Sequence, residues 1–142
     1  MVNSEKKNWQ AVSPEKIYYE LKLELSGLLG VHWLSDLANF SAQIYSALPD
    51  LNWCGFYLLK SDVLRLGPFQ GKTACQTIPL HRGVCGQAVR ERRTINVPDV
   101  HEVADHIACD SASQSELVIP LIDEFQKDRK STRLNSSHGY RS

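Results

Sequence analysis

The chain has 142 residues, of which 42% are hydrophobic and 23% are charged, and this suffices for one compact domain but not for two. Its 16 Lys and Arg residues balance 16 Asp and Glu residues, so the basic surface typical of proteins that bind nucleic acids or anionic membranes is not expected. The sequence has neither an apolar run that could cross a bilayer nor a secretory signal, which predicts a cytoplasmic protein.

Two amphipathic helices are predicted after a loose N-terminal arm of residues 1–12. Ser13 and Pro14 supply an N-cap and a first-turn proline, and apolar residues then recur at helical spacing as far as Leu28. A second apolar stripe follows over residues 33–48. The two stripes predict a helical hairpin.

The sequence next takes on the pattern of a β-sheet. Residues 53–59 and 63–66 flank a polar turn, which predicts a β-hairpin. Alternation along its first strand puts Trp53 and Tyr57 on one face, where they could line a pocket. The remaining predicted elements are strands at 77–80, 94–97 and 116–122 and a short helix at 83–92. The fold class is therefore α+β.

Two segments lack a regular pattern. Residues 100–115 carry His101, His106 and Cys109, and long irregular segments inside a compact domain are often functional. Residues 123–142 are polar and cannot bury a face, so we expect them to be disordered. The predicted domain thus covers residues 13–122.

The four cysteines are candidates for chemistry, because thiols in the cytoplasm are kept reduced and disulfides there are usually catalytic or redox-sensing. Cys75, Cys85 and Cys109 form no C-x-x-C pair, so zinc-finger spacing is absent. A mixed metal site that also uses His81 or His106 is the minor alternative.

The cysteines differ in their local sequence surroundings. Cys85 lies near a predicted helix start and Cys109 in a polar loop, and both settings can lower a thiol pKa. The alternative for each is a small buried side chain, and this is the interpretation we favour for Cys54. Glu116 opens an apolar strand, where its carboxylate either lies at a pocket rim or is a solvated strand end.

Four segments together resemble one known family, the free methionine-(R)-sulfoxide reductases, which are built on a GAF domain. The segments are Asn52-Trp-Cys-Gly-Phe-Tyr-Leu58, Gly83-Val-Cys-Gly86, His106-Ile-Ala-Cys-Asp110 and Ser115-Glu116. The resemblance extends from about Ile17 to Ile122. It implies a GAF-like antiparallel sheet carrying the N-terminal helical hairpin.

The resemblance also implies a role for each candidate residue. Cys109 would be the nucleophile, Cys75 the resolving cysteine that forms a disulfide with it, and Cys85 an auxiliary redox thiol. Trp53 and Tyr57 would hold the methyl-sulfoxide end of the substrate, and Glu116 would engage its oxygen. The implied reaction reduces free methionine-(R)-sulfoxide with thioredoxin as reductant and needs no metal or organic cofactor, and a homodimer is an open possibility.

The resemblance stops after Ile122. The family continues with a glycine turn, a strand ending in an Asp-x-Asp-Ser motif that helps to bind the substrate amino group, and a closing helix. Residues 130–138 instead resemble translated sequencing-adaptor sequence, which predicts a C-terminally truncated domain with an artefactual tail. Two alternatives to a working enzyme therefore stay open: a non-catalytic GAF module that binds a ligand or senses redox state, and an inactive fragment of the enzyme.

Overall fold

The computed structural model describes residues 12–48, 50–99 and 115–122, and the backbone of residues 133–140. The elements in chain order are α1 (Pro14–Leu28), α2 (Trp33–Ala47), β1 (Leu51–Lys60), β2 (Val63–Gly71), β3 (Thr77–Pro79), α3 (Gly83–Glu91), β4 (Ile95–Val97), β5 (Glu116–Leu121) and β6 (Arg133–Tyr140). Residues 1–11, 49, 100–114, 123–132 and 141–142 lie outside the described residues. The predicted irregular segment with Cys109 therefore lies outside them except for Ser115.

Polar side chains fix the ends of the two N-terminal helices. The backbone N–H of Lys16 donates to Ser13 Oγ at 3.4 Å, which is the N-cap that the sequence predicts for α1. Asp36, in the first turn of α2, accepts from the backbone N–H groups of Gly30 and Val31 at 3.0 and 3.4 Å. These contacts order the short loop between α1 and α2, and the predicted helical hairpin is confirmed.

A six-stranded sheet in the order β3-β2-β1-β6-β5-β4 forms the centre of the fold, and its neighbouring strands are antiparallel. The predicted hairpin is formed by β1 and β2, but β2 continues to Gly71 instead of ending at Leu66. A bulge explains the difference, because Phe56 lies opposite both Gly67 and Pro68. Proline cannot donate to the ladder, so a bulge is one of the few places where a strand accepts it.

Strand β1 is buried on both faces. Cys54 packs with α1 and α2 residues on one face, and Phe56 makes an edge contact with Phe40 of α2, with ring centroids 5.5 Å apart. Trp53 and Tyr57 lie on the opposite face in a second apolar cluster, which includes the buried face of α3. The alternation predicted for this strand is therefore confirmed, and α3 covers the aromatic face.

Strand β6 differs from the expectation for residues 123–142. The sequence predicts disorder there, yet residues 133–140 pair with β1 on one side and with β5 on the other. The physical reason is that backbone N–H and C=O groups pair independently of side-chain type, and β1 and β5 each present an edge that needs a partner. A polar segment can therefore occupy the middle of this sheet.

Candidate active site

Three aromatic rings form a stack on the face of the sheet below α3. Trp53 lies between Tyr57 of its own strand and Phe69 of β2, with ring centroids 6.0 and 5.6 Å away and interplanar angles of 28° and 18°. The indole N–H of Trp53 is buried and has no hydrogen-bond partner among the described residues. Trp53 and Tyr57 thus lie together as the sequence predicts, whereas Phe69 was missed because Gly67-Pro68 masks the strand signal.

Gly55 leaves the space that this stack occupies. A Cβ atom placed on Gly55 would overlap the backbone and Cβ of Phe69 and would approach Cη2 of Trp53 to 2.8 Å. No flexible chain end is available to move aside, because the contacts are with backbone and ring atoms. The glycine is therefore required for close approach of the rings.

We expect Gly55→Ala to lower the free energy of unfolding by about 1–3 kcal/mol, because overpacking forces the rings and β2 apart. Urea denaturation followed by tryptophan fluorescence measures both the stability and the altered environment of Trp53. Gly27→Ala is the matched control, since a Cβ at that helical position would contact nothing within 4 Å. The control should be neutral or stabilising by up to about 1 kcal/mol, and equal losses in the two variants would contradict the assignment.

A hydrogen bond connects the aromatic stack to a cysteine. The hydroxyl of Tyr57 donates to the backbone carbonyl of Cys75 at 2.8 Å. Cys75 lies between β2 and β3, is half-buried, and is disulfide-bonded. The segment that carries this disulfide-bonded cysteine is therefore held directly against the aromatic face.

A thiol and a carboxyl group meet beside this hydrogen bond. Sγ of Cys85, in the first turn of α3, lies 3.8 Å from Oε1 of Glu116 at the start of β5 and donates to it. Gly86 allows the helix to come close, because a Cβ there would lie 2.6 Å from the carbonyl oxygen of Leu80. Cys85 is only 4% exposed.

The prediction that the helix start lowers the pKa of Cys85 is wrong. Burial raises this pKa well above the ordinary thiol value, and the negative charge of Glu116 and its hydrogen bond raise it further. These effects exceed the partial positive charge at the end of a short helix. The Cys85 thiol is therefore protonated at neutral pH.

The phenol of Tyr57 is influenced by both Cys85 and Glu116. Burial raises the pKa of its phenol above the ordinary value, and Cys85 and Glu116 raise it further. Trp53, Tyr57, Cys75, Cys85 and Glu116 thus form one site between β1, α3 and β5. The sixth predicted site residue, Cys109, lies outside the described residues, as do His101 and His106.

The remaining cysteine and histidine candidates lie away from this site. Cys54 is fully buried among α1 and α2 residues, and burial raises its pKa to about 12, so its prediction as a small structural side chain is confirmed. His81 is exposed on the turn before α3. The described part of the chain contains no group of three or more His, Cys, Asp or Glu residues that could hold a metal ion.

Known proteins are similar to this chain in sequence and in fold. No sequence model of a protein family matches the chain. The chain is 50% identical over 113 residues to the free methionine-R-sulfoxide reductase of Escherichia coli K12, a match that covers 78% of this chain and 68% of the relative. It is 37% identical to a free methionine-R-sulfoxide reductase from Neisseria meningitidis solved in complex with its substrate, with a TM-score of 0.77 and coverage of 91% and 77%. A solved GAF domain gives 38% identity, a TM-score of 0.77 and coverage of 91% of this chain and 76% of that domain's chain.

The chain belongs to the free methionine-R-sulfoxide reductases. This is a family of oxidoreductases built on a GAF fold, so the resemblance and the GAF-like fold class predicted from the sequence are both confirmed. In residues 12–48, 50–99 and 115–122, every helix is too short or too polar to span a lipid bilayer.

Proposed function

We propose that this protein reduces free L-methionine-(R)-sulfoxide to methionine at the site formed by Trp53, Tyr57, Cys75, Cys109 and Glu116. One observation carries the proposal: the Tyr57 hydroxyl donates to the Cys75 carbonyl at 2.8 Å, so an aromatic surface and a disulfide-bonded cysteine share one site. The relative from Neisseria meningitidis, whose solved structure contains its substrate, supports the same class of ligand.

Each end of the substrate's reacting group has a chemically suitable partner in this proposal. The rings of Trp53 and Tyr57 offer an apolar surface to the methyl group, and their stacking keeps that surface rigid. The buried indole N–H of Trp53 is a donor for a substrate oxygen, because leaving such a donor unpaired costs free energy. Glu116 engages the sulfoxide oxygen and supplies the proton that it needs.

The reaction begins with attack of the Cys109 thiolate on the sulfoxide sulfur. The oxygen is transferred to the cysteine sulfur with proton uptake, methionine is released, and Cys109 becomes a sulfenic acid. The Cys75 thiol then condenses with the sulfenic acid, which forms a Cys75–Cys109 disulfide and releases water. The disulfide-bonded state of Cys75 supports its proposed role as the resolving cysteine.

Two electrons must then be returned to the disulfide. We propose thioredoxin as the donor, since its dithiol is reducing enough to exchange with a catalytic disulfide. A dithiol is sufficient for this step, so the proposed cycle uses no metal or organic cofactor.

We expect the protein to reduce free methionine-(R)-sulfoxide at least about 100-fold faster than either the (S)-epimer or an internal peptide methionine-(R)-sulfoxide. Inversion at sulfur moves the oxygen away from Glu116 when the methyl group stays on the aromatic rings. A peptide loses the free amino and carboxylate charges that distinguish the amino acid. Thioredoxin-coupled NADPH oxidation with the three substrates measures the ratios.

The matched control for this assay is Cys54→Ser, which changes a thiol on the opposite face of the sheet and should leave the ratios unchanged. Peptide reduction as fast as that of the free amino acid would contradict the proposed substrate class. Binding of free methionine sulfoxide without turnover would instead favour the non-catalytic GAF module.

A further inference from the structure

We propose that Tyr57 is a positioning residue for Cys75, and that its hydroxyl holds the backbone of this cysteine where the thiol can meet the sulfenic acid of Cys109. The inference rests on the proposed function in taking Cys75 as the resolving cysteine and Cys109 as its partner. It gives Tyr57 a second role beside the apolar surface that its ring offers to the substrate.

Strand pairing holds the chain before β3 only as far as Gln76. The backbone N–H of Leu66 in β2 donates to the carbonyl of Gln76 at 2.9 Å, one residue before β3 begins. The next residues of β2 are Gly67 and Pro68 of the bulge, and proline has no N–H group with which to continue the ladder. Cys75 is therefore the first residue of its segment beyond the pairing of β2 with β3.

At that point the backbone is bound by a side chain from another strand. The hydroxyl of Tyr57 donates to the carbonyl of Cys75 at 2.8 Å, the usual length of an O–H···O hydrogen bond. Tyr57 is 3% exposed and its ring stacks with Trp53, so the hydroxyl is carried by a side chain with little freedom to move. Burial raises the pKa of the phenol, and the hydroxyl therefore stays a donor at neutral pH.

The hydrogen bond adds direction to an otherwise apolar contact. Ala74 and Cys75 pack against the apolar cluster that contains Trp53 and Tyr57. Apolar packing is non-directional, whereas a hydrogen bond to the carbonyl fixes the orientation of the peptide group. The bond is present while Cys75 is disulfide-bonded, so it holds the backbone where the product of the resolving step requires it.

The resolving step depends on this kind of placement. Sulfur of Cys75 attacks sulfur of Cys109, the S–S bond forms as the S–O bond breaks, and the hydroxyl leaves with the thiol proton as water. Such a step is fast when the reacting atoms are held close and aligned. Without the hydrogen bond, the Cys75 thiol would occupy other positions and the sulfenic acid would persist longer.

The test follows the fate of the sulfenic acid in the reduced full chain, treated with one equivalent of hydrogen peroxide in the presence of dimedone. Peroxide oxidises the Cys109 thiolate to the sulfenic acid and is itself reduced to water, so methionine sulfoxide is not needed. Dimedone then traps the sulfenic acid that Cys75 has not resolved. Cys54 and Cys85 are buried with raised pKa values, which keep them protonated and slow to react. Mass spectrometry gives the ratio of adduct to disulfide.

We expect Tyr57→Phe, which keeps the ring and removes the hydroxyl, to raise this ratio about tenfold over the parent, because misplacement slows the resolving step. Cys75→Ser cannot resolve the sulfenic acid and gives the upper limit of the ratio. Tyr18→Phe is the matched control, since it removes an exposed hydroxyl from α1 on the other side of the sheet, and it should leave the ratio unchanged. The parent's ratio in Tyr57→Phe would overturn the inference.

Rescue separates positioning from a general loosening of the fold. Replacing Tyr57 by para-aminophenylalanine keeps a donor at the same place on the ring and should return the ratio to within about threefold of the parent. A variant with this residue that is as impaired as Tyr57→Phe would refute the role of the hydrogen bond.

The peroxide reaction also distinguishes failure of this inference from failure of the proposed function. A parent that forms the disulfide with peroxide but does not reduce methionine sulfoxide would refute the proposed substrate alone, and the ratios would still decide the role of Tyr57. A parent that forms no Cys75–Cys109 disulfide would overturn the inference, because there would be no resolving step for Tyr57 to assist.

Discussion

Replacing the proposed nucleophile in Cys109→Ser should abolish reduction of free methionine-(R)-sulfoxide, with a loss of turnover on the order of 1000-fold or more. A serine hydroxyl stays protonated at neutral pH, and its oxygen is a poor nucleophile toward sulfur. Methionine release, measured by chromatography in a single-turnover experiment without thioredoxin, tests the first chemical step directly.

Cys75→Ser is the informative control for that experiment. It should still release one methionine per protein, because the first step needs only Cys109, but it should lose steady-state recycling by thioredoxin. If both variants lost the first turnover equally, Cys75 would have to act before the disulfide forms. Normal turnover by Cys109→Ser would refute the proposed mechanism.

A proline in the middle of β6 should have the largest effect on stability. The backbone of Ser136 pairs with Phe56 of β1 and with Ile119 of β5, so Ser136→Pro removes an N–H group from the interior of the sheet. We expect the free energy of unfolding to fall by roughly 3 kcal/mol or more. Urea denaturation followed by circular dichroism measures the loss.

Ser136→Ala keeps the backbone N–H and is the matched control, with an expected change within about 0.5–1 kcal/mol. If Ser136→Pro and Ser136→Ala unfolded at the same urea concentration, β6 would contribute no pairing in solution. Such a result would mean that residues 133–140 are disordered in solution, as their composition predicts.

The sequence predicted correctly those parts of the fold that are determined by neighbouring residues in the chain. The Ser13-Pro14 start of α1 and the alternation of Trp53, Cys54 and Tyr57 depend on neighbouring residues, and both agree with the structure. The full length of β2 was missed because Gly67-Pro68 is a strand-breaking signal in sequence, while the bulge tolerates it in the sheet.

Long-range contacts account for the other differences. The pKa of Cys85 is raised first by burial under the packed fold and then by Glu116, which is distant in sequence, so the local helix-start argument gave the opposite sign. The pairing of β6 depends on the open edges of β1 and β5, which no local composition reveals. The family resemblance predicted the candidate site residues, but the hydrogen bond between Tyr57 and Cys75 is visible only in the fold.

The central position of β6 has a consequence for the rate of folding. Strands β1, β2 and β3 can form a meander from local contacts, and β4 pairs with β5, but β6 is the strand that joins the two groups. Phe56 and its partner Ser136 are separated by more than half of the chain, and such high contact order slows folding. Until β6 docks, the inner edges of β1 and β5 remain open to strands of other molecules. Aggregation during refolding should therefore increase with protein concentration, even where the completed sheet is stable.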